Sequence, residues 1–186
     1  MPRHPEHLLA FDYTGPHRYS LTFCTESRRA AFTEAPVVQL VLKHFLQQAD
    51  QQGFAMLAYC FMPDHVHLLV YSDKEMKEVL RLLNGVAARR VIQYLKENSF
   101  ETSLLKLRGE VRERNHRHSV WQHHSDSLEI VGEETFRQKV EYIHQNPVRA
   151  GLVESSLDYQ FSSCRQWSGE SVTDEALLVD RDIDWR

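Results

Sequence analysis

An α+β fold is what the sequence predicts: a ferredoxin-like antiparallel sheet with helices on one face, plus one additional helix. Three observations lead there. In Tyr19–Thr25, "YSLTFCT", apolar and polar residues alternate with the period of a strand. Two further strand-like runs, "FAMLAYCFM" and "HVHLLVY", are separated only by Pro63 and Asp64, which is turn chemistry. Between and after these runs lie stretches with apolar residues at helical spacing. The order is strand, helix, strand, strand, helix, strand, and two strand–helix–strand units of this kind close into one antiparallel sheet.

Each element has its own reason. In "TEAPVVQLVLKHFLQQADQQG", Thr33 is a candidate cap, Pro36 suits a first helical turn and Gly53 suits the stop. Val37, Leu40, Val41 and Phe45 give that helix one apolar face. Phe54–Met62 is a nearly continuous apolar run, as a central strand requires. "SDKE", Ser72–Glu75, reads as a capping box opening a second helix, whose apolar positions include Met76, Val79, Leu83, Val86 and Ile92. From about Asn98 to Ser119 the pattern dissolves into a loop or short helix. "SVWQHHSDSLEIV", Ser119–Val131, reads as an edge strand. "GEETFRQKVEYIHQNP" is the additional helix, with acidic residues in its first turn and a stop expected at Pro147.

Composition narrows the function classes. A hydrophobic share of 42% over 186 residues supports a real core. No apolar run approaches the roughly 20 residues that span a bilayer. The first residues, "MPRHPEHLLAFDY", lack the basic-then-apolar pattern of a secretory signal. Cys24, Cys60 and Cys164 are odd in number and scattered, which fits reduced thiols in a cytoplasmic protein rather than a disulfide framework or a Cys-x-x-Cys knuckle. The formal charge of −4 does not announce a nucleic-acid binder, but its distribution is uneven. Nine basic residues face four acidic ones between Arg81 and Arg117, while the final stretch, "GESVTDEALLVDRDIDWR", is acidic. The first segment reads either as a solvated helix face or as a basic surface for phosphates.

The run "YCFMPDHVHLLVY" carries two histidines one residue apart. On a strand, Val66, Leu68 and Val70 point one way and His65, His67, Leu69 and Tyr71 the other. The valine–leucine face should pack on the two helices, leaving the histidine face open. Two imidazoles at this spacing are roughly 6–7 Å apart by strand rise. Either they are satisfied by ordinary hydrogen bonds, or they converge on a divalent ion. On the additional helix, Phe136, Val140 and Ile143 form a buried stripe, and Tyr142 lies roughly 120° or more from its centre. Asn146 shares the Tyr142 face one turn on. That pair reads either as a surface tyrosine beside an asparagine capping its own helix, or as a phenol nucleophile and an oxygen ligand.

"YCFMPDHVHLLV", followed by "VEYIHQNPVRAGLV", resembles the REP-associated tyrosine transposases. These belong to the single-tyrosine HUH transposases, which act on single-stranded DNA. The resemblance runs from about Tyr19 to Trp167 and takes in "VWQHHSD" and "DYQFSS". It implies one HUH transposase-like domain over residues 1–168 and an acidic tail over 169–186. It implies that His65 and His67 bind a divalent metal, Mg²⁺ or Mn²⁺, and that Asn146 completes the site. It implies that Tyr142 attacks DNA to form a 5′-phosphotyrosine, so that strand joining needs no nucleotide cofactor. The expected partner is single-stranded or hairpin DNA, such as REP-like inverted repeats. Arg81, Arg89, Arg90, Arg112 and Arg114 of the basic segment, and Arg149, are candidate DNA contacts. Trp121, Tyr159 and Trp167 are candidates for stacking on bases, or else buried aromatics. The chain would act as a monomer or homodimer, with no membrane. Two alternatives stand beside this: a domesticated hairpin-binding protein of the same fold that no longer cuts, and a metallohydrolase whose histidine pair activates water.

Overall fold

The computed structural model describes residues 17–107, 120–122 and 125–170. The expectations for Arg112, Arg114 and the rest of the basic segment from 108 to 117, and for segment 171–186, lie outside these residues, as does that for the side chain of Val86. The elements run β1 (His17–Cys24), α1 (Ala35–Gln52), β2 (Ala55–Met62), β3 (His65–Ser72), α2 (Met76–Glu97), α3 (Glu101–Lys106), β4 (Asp126–Glu129), α4 (Glu133–Arg149) and α5 (Cys164–Trp167). The strands form one antiparallel sheet in the order β2-β3-β1-β4, which is the ferredoxin-like arrangement expected from the sequence.

Strand alternation decides the layers. Tyr19, Leu21 and Phe23 of β1 pair with Val70, Leu68 and Val66 of β3. All six are buried on the face that packs against α1 and α2. Val79, Leu83, Ala87, Val91 and Leu95 repeat every fourth residue along α2 and supply that helix's share of the core. The opposite face carries Ala58, Cys60, Met62 and Leu69, joined by Leu57 at a register shift in β2. Phe136, Val140 and Ile143 of α4 pack there. The histidine face is therefore not open, as expected, but partly roofed by α4. The buried stripe of that helix lies on this face, and Phe136 also meets the Trp167 ring, at 6.0 Å between centroids.

Several local expectations need correction. The Ser72 box does not cap α2. Ser72 ends β3, is 1% exposed, and its Oγ accepts from the Lys74 amide at 3.0 Å, while the helix begins at Met76. Thr33 likewise does not cap α1, whose flanking residue is Glu34; Pro36 in the first turn and Gly53 in the left-handed region at φ 71° behave as expected. Pro147 does not stop α4, which continues to Arg149. Strand β4 is confined to Asp126–Glu129, because Trp121 is drawn into the core against Phe23 and Phe32, at ring distances of 5.7 and 5.4 Å. Among the described residues before β4, Trp121 forms a bridge with Thr25, and the Gln122 amide donates to the Cys24 carbonyl at 2.8 Å.

The outer edge of β2 is covered by the chain that follows α4. The Phe61 amide donates to the Phe161 carbonyl at 2.8 Å, and the Ser163 amide to the Tyr59 carbonyl at 3.0 Å. Tyr159 Oη donates to the Phe61 carbonyl at 2.7 Å, and the Trp167 indole to the Leu57 carbonyl at 2.9 Å. These aromatics, with Trp121, thus hold the fold together. All three cysteines are free and buried. Among the described residues no helix is long and apolar enough to cross a membrane.

Candidate functional site

Strand β3 presents His65 and His67 toward α4. Their Nε2 atoms face each other at 3.1 Å. Each Nδ1 has a partner of its own. His65 Nδ1 meets Asp64 Oδ1 at 2.6 Å, and His67 Nδ1 meets Thr22 Oγ1 at 3.0 Å. Thr22 is there because register pairs it with His67 across β1 and β3. His67 is only 8% exposed. Its burial, with the charges of His65, Lys139 and Arg28 adding to it, pushes the imidazole down to about 3. The ring is therefore neutral at ordinary pH, the form in which a histidine can be a ligand.

The donor geometry fits a small divalent cation. Two ligands at about 2.1 Å from an octahedral ion, in adjacent positions, are about 3.0 Å apart, close to the separation seen. No group of three or more His, Cys, Asp or Glu suited to a metal occurs among the described residues. Any further ligand must come from elsewhere, such as a carboxamide, water or phosphate oxygen. Asn146 is one turn beyond Tyr142 on α4. Its Nδ2 donates to the Tyr142 carbonyl at 2.8 Å and to the Ile143 carbonyl at 3.3 Å. Ile143 is the residue whose carbonyl loses its helical donor to Pro147, and the Asn146 side chain supplies a replacement. That pose turns the amide nitrogen to the backbone and leaves Oδ1 as the ligand-capable atom.

Tyr142 stands beside the histidines. Its ring centroid is 5.9 Å from that of His67, nearly perpendicular to it, and the residue is 42% exposed. Lys139 Nζ lies 5.3 Å and Arg149 Cζ 4.9 Å from the Tyr142 ring centre. Two cations thus flank an accessible phenol next to a histidine pair. A third lies across the site. Arg28 Nη1 is 3.4 Å from Asp64 Oδ2, on a turn where Ser27 and Arg28 both take left-handed backbone, at φ 55° and 53°. Neither is glycine, so this turn stores strain of order 1–3 kcal/mol per residue.

The structure therefore brings together His65, His67, Tyr142 and Arg149, with Asn146 a turn away. It does not bring Arg81, Arg89 and Arg90 to them. Those lie on α2, in the layer on the other face of the sheet. There Arg81 lies 4.0 Å from Glu78, Arg89 donates to the Gly85 carbonyl and Arg90 to Gln47. His144 is buried and meets Ser163 Oγ at 2.9 Å, away from the Tyr142 face. Asp64, Thr22, Lys139 and Arg28 were missed by sequence reasoning. Lys139, three residues before Tyr142, was legible from helical spacing. Thr22 was not, since only register reveals it.

The family model described as "Transposase IS200 like" matches residues 14–146. The chain belongs to this transposase family. The motif resemblance to the REP-associated tyrosine transposases agrees with it. A curated relative bearing that name, from Haemophilus influenzae, is 25% identical over 155 residues, covering 82% of each chain. Among solved structures, a REP-associated tyrosine transposase bound to a REP hairpin aligns with a TM-score of 0.57 at 16% identity. That alignment covers 99% of this transposase and 95% of the other chain, which shows a shared fold. A Deinococcus radiodurans protein described as a transposase aligns with a TM-score of 0.49 at 22% identity, over 73% of this chain and 95% of its own.

Proposed function

We propose that this transposase cuts and joins strands of single-stranded or hairpin DNA through a covalent link to Tyr142, with Mg²⁺ or Mn²⁺ held by His65 and His67 and completed by Asn146. The observation that carries the reading is the phenol of Tyr142 beside the histidine pair, at 5.9 Å between rings. The hairpin carried by the structural relative supports the choice of substrate.

The metal, when bound, would polarise a non-bridging oxygen of the scissile phosphate. The chain's own residues do the rest. Lys139 and Arg149 attract the phosphate and offset charge as it builds. Tyr142 attacks phosphorus in line. The bond from Oη to phosphorus forms and the bond from phosphorus to the 3′-oxygen breaks. The phenol gives up one proton and the departing 3′-oxygen gains one, so the step is neutral overall. Rejoining is the reverse with a new 3′-hydroxyl, which is why no nucleotide cofactor is needed.

The test is a hairpin oligonucleotide with a single-stranded flank, incubated with the protein and Mg²⁺ or Mn²⁺ and resolved on a denaturing gel. A DNA-linked protein band that disappears in EDTA and in Tyr142→Phe is expected. An adduct that survives Tyr142→Phe would remove the nucleophile assignment. Hairpin binding without any cleavage would favour the domesticated binding protein.

A further inference from the structure

We infer that Asp64 and Thr22 are positioning residues for the histidine pair: Asp64 locks the His65 ring, and the Thr22 hydroxyl lets His67 change tautomer when a cation enters. This rests on the metal reading above. A carboxylate offers only acceptors. The 2.6 Å contact from Asp64 Oδ1 therefore places the His65 hydrogen on Nδ1 and leaves Nε2 with its lone pair. That lone pair faces His67 Nε2 at 3.1 Å, a distance that requires one hydrogen between them. With the His65 hydrogen on Nδ1, His67 supplies it from Nε2. His67 Nδ1 is then an acceptor, and Thr22 Oγ1 at 3.0 Å is its donor.

A cation held by both histidines would need the lone pairs of both Nε2 atoms. His67 must then carry its hydrogen on Nδ1 instead. One proton leaves Nε2 to water and one arrives at Nδ1, so the ring stays neutral throughout. The Thr22 hydroxyl can follow, because it accepts as readily as it donates. A carboxylate at that position could not serve the first state, and an apolar residue could serve neither. Metal-bound histidines generally hold their second ring nitrogen in such a contact.

The surroundings are built to hold Asp64 still. Its backbone carbonyl accepts from the Thr25 amide at 2.9 Å, and Thr25 Oγ1 lies between that carbonyl and the Arg29 carbonyl, at 2.9 and 2.6 Å. The neighbouring Pro63 carbonyl accepts from the Phe32 amide at 3.0 Å. Arg28 approaches the other carboxylate oxygen at 3.4 Å. The turn that carries Asp64 is thus tied to the chain leaving β1, and Thr25 is fully buried.

The experiment measures Mn²⁺ uptake by calorimetry, and histidine ring tautomers by two-bond ¹H–¹⁵N spectra with and without Zn²⁺, on the full chain. Wild type should show the His67 hydrogen moving from Nε2 to Nδ1 as Zn²⁺ is added. Asp64→Ala and Thr22→Val should each bind Mn²⁺ about 10- to 100-fold more weakly. Thr22→Ser, which keeps the hydroxyl, should bind like wild type and excludes a mere folding defect. Wild-type uptake matched by both Asp64→Ala and Thr22→Val would overturn this inference alone. A His67 tautomer indifferent to bound Zn²⁺ would overturn the Thr22 role. No uptake by wild type at all would overturn the metal centre and the inference with it.

Discussion

At Tyr142 the decisive property is a phenol that is reachable yet oriented. The residue is 42% exposed, yet its ring is held between Lys139, Arg149 and His67. Removing its oxygen costs the protein no packing, so Tyr142→Phe should leave the melting temperature and hairpin affinity unchanged while abolishing the adduct. The flanking cations are a different case. A hydrogen bond to a charged group is worth roughly 1.5–3 kcal/mol, so Lys139→Ala should slow cleavage about tenfold or more without unfolding the protein. Single-turnover rates check this, and a rate equal to wild type would exclude Lys139 from the phosphate site. Of the histidines, His65→Ala is the cleaner probe of metal dependence, because His67 is nearly buried and its truncation also disturbs the sheet.

Helix α4 makes the site by docking. Its apolar stripe is anchored on β2 and β3, and Tyr142 stands at the flank of that anchor, beside His67. Ile143 is 1% exposed. Ile143→Ala should cost about 2–5 kcal/mol and lower adduct formation as well, because the helix that aims the phenol loosens. A variant destabilised by that amount but fully active would show that docking does not set the reaction geometry. The strand edge follows the same logic. Ser163 Oγ accepts from the Tyr59 amide at 2.9 Å and meets His144 Nε2 at the same distance. Ser163→Ala strands both groups in the interior, and should cost about 1–3 kcal/mol for each group left unpaired, measured by urea unfolding.

Across the molecule, buried neutral imidazoles make the fold acid-sensitive. Burial pushes both His44 and His144 down to about 4. In the unfolded chain a histidine titrates near 6.5. Between those values the unfolded state takes up protons that the folded state refuses, so folding is penalised as pH falls. Stability is full above about pH 6.5 and declines toward pH 4. The urea midpoint should therefore be lower at pH 5 than at pH 7.5; equal midpoints would mean these rings are protonated without cost in the fold.

Periodicity determined much of this protein. Alternation along "HVHLLVY" put both histidines on one side of a strand, and helical spacing put Tyr142 and Asn146 on one side of a helix. The paired motifs carried the family. What periodicity cannot say is which neighbour covers an apolar face, because it refers each side chain only to its own element's axis. That α4 closes over the histidine face, that Thr22 pairs with His67, and that Arg81, Arg89 and Arg90 fall in the opposite layer were decided by docking between distant segments. Local signals also lost where burial outweighed them. Ser72 stayed in the sheet instead of capping a helix, and Pro147 stayed helical, with the carbonyl it left bare met by Asn146.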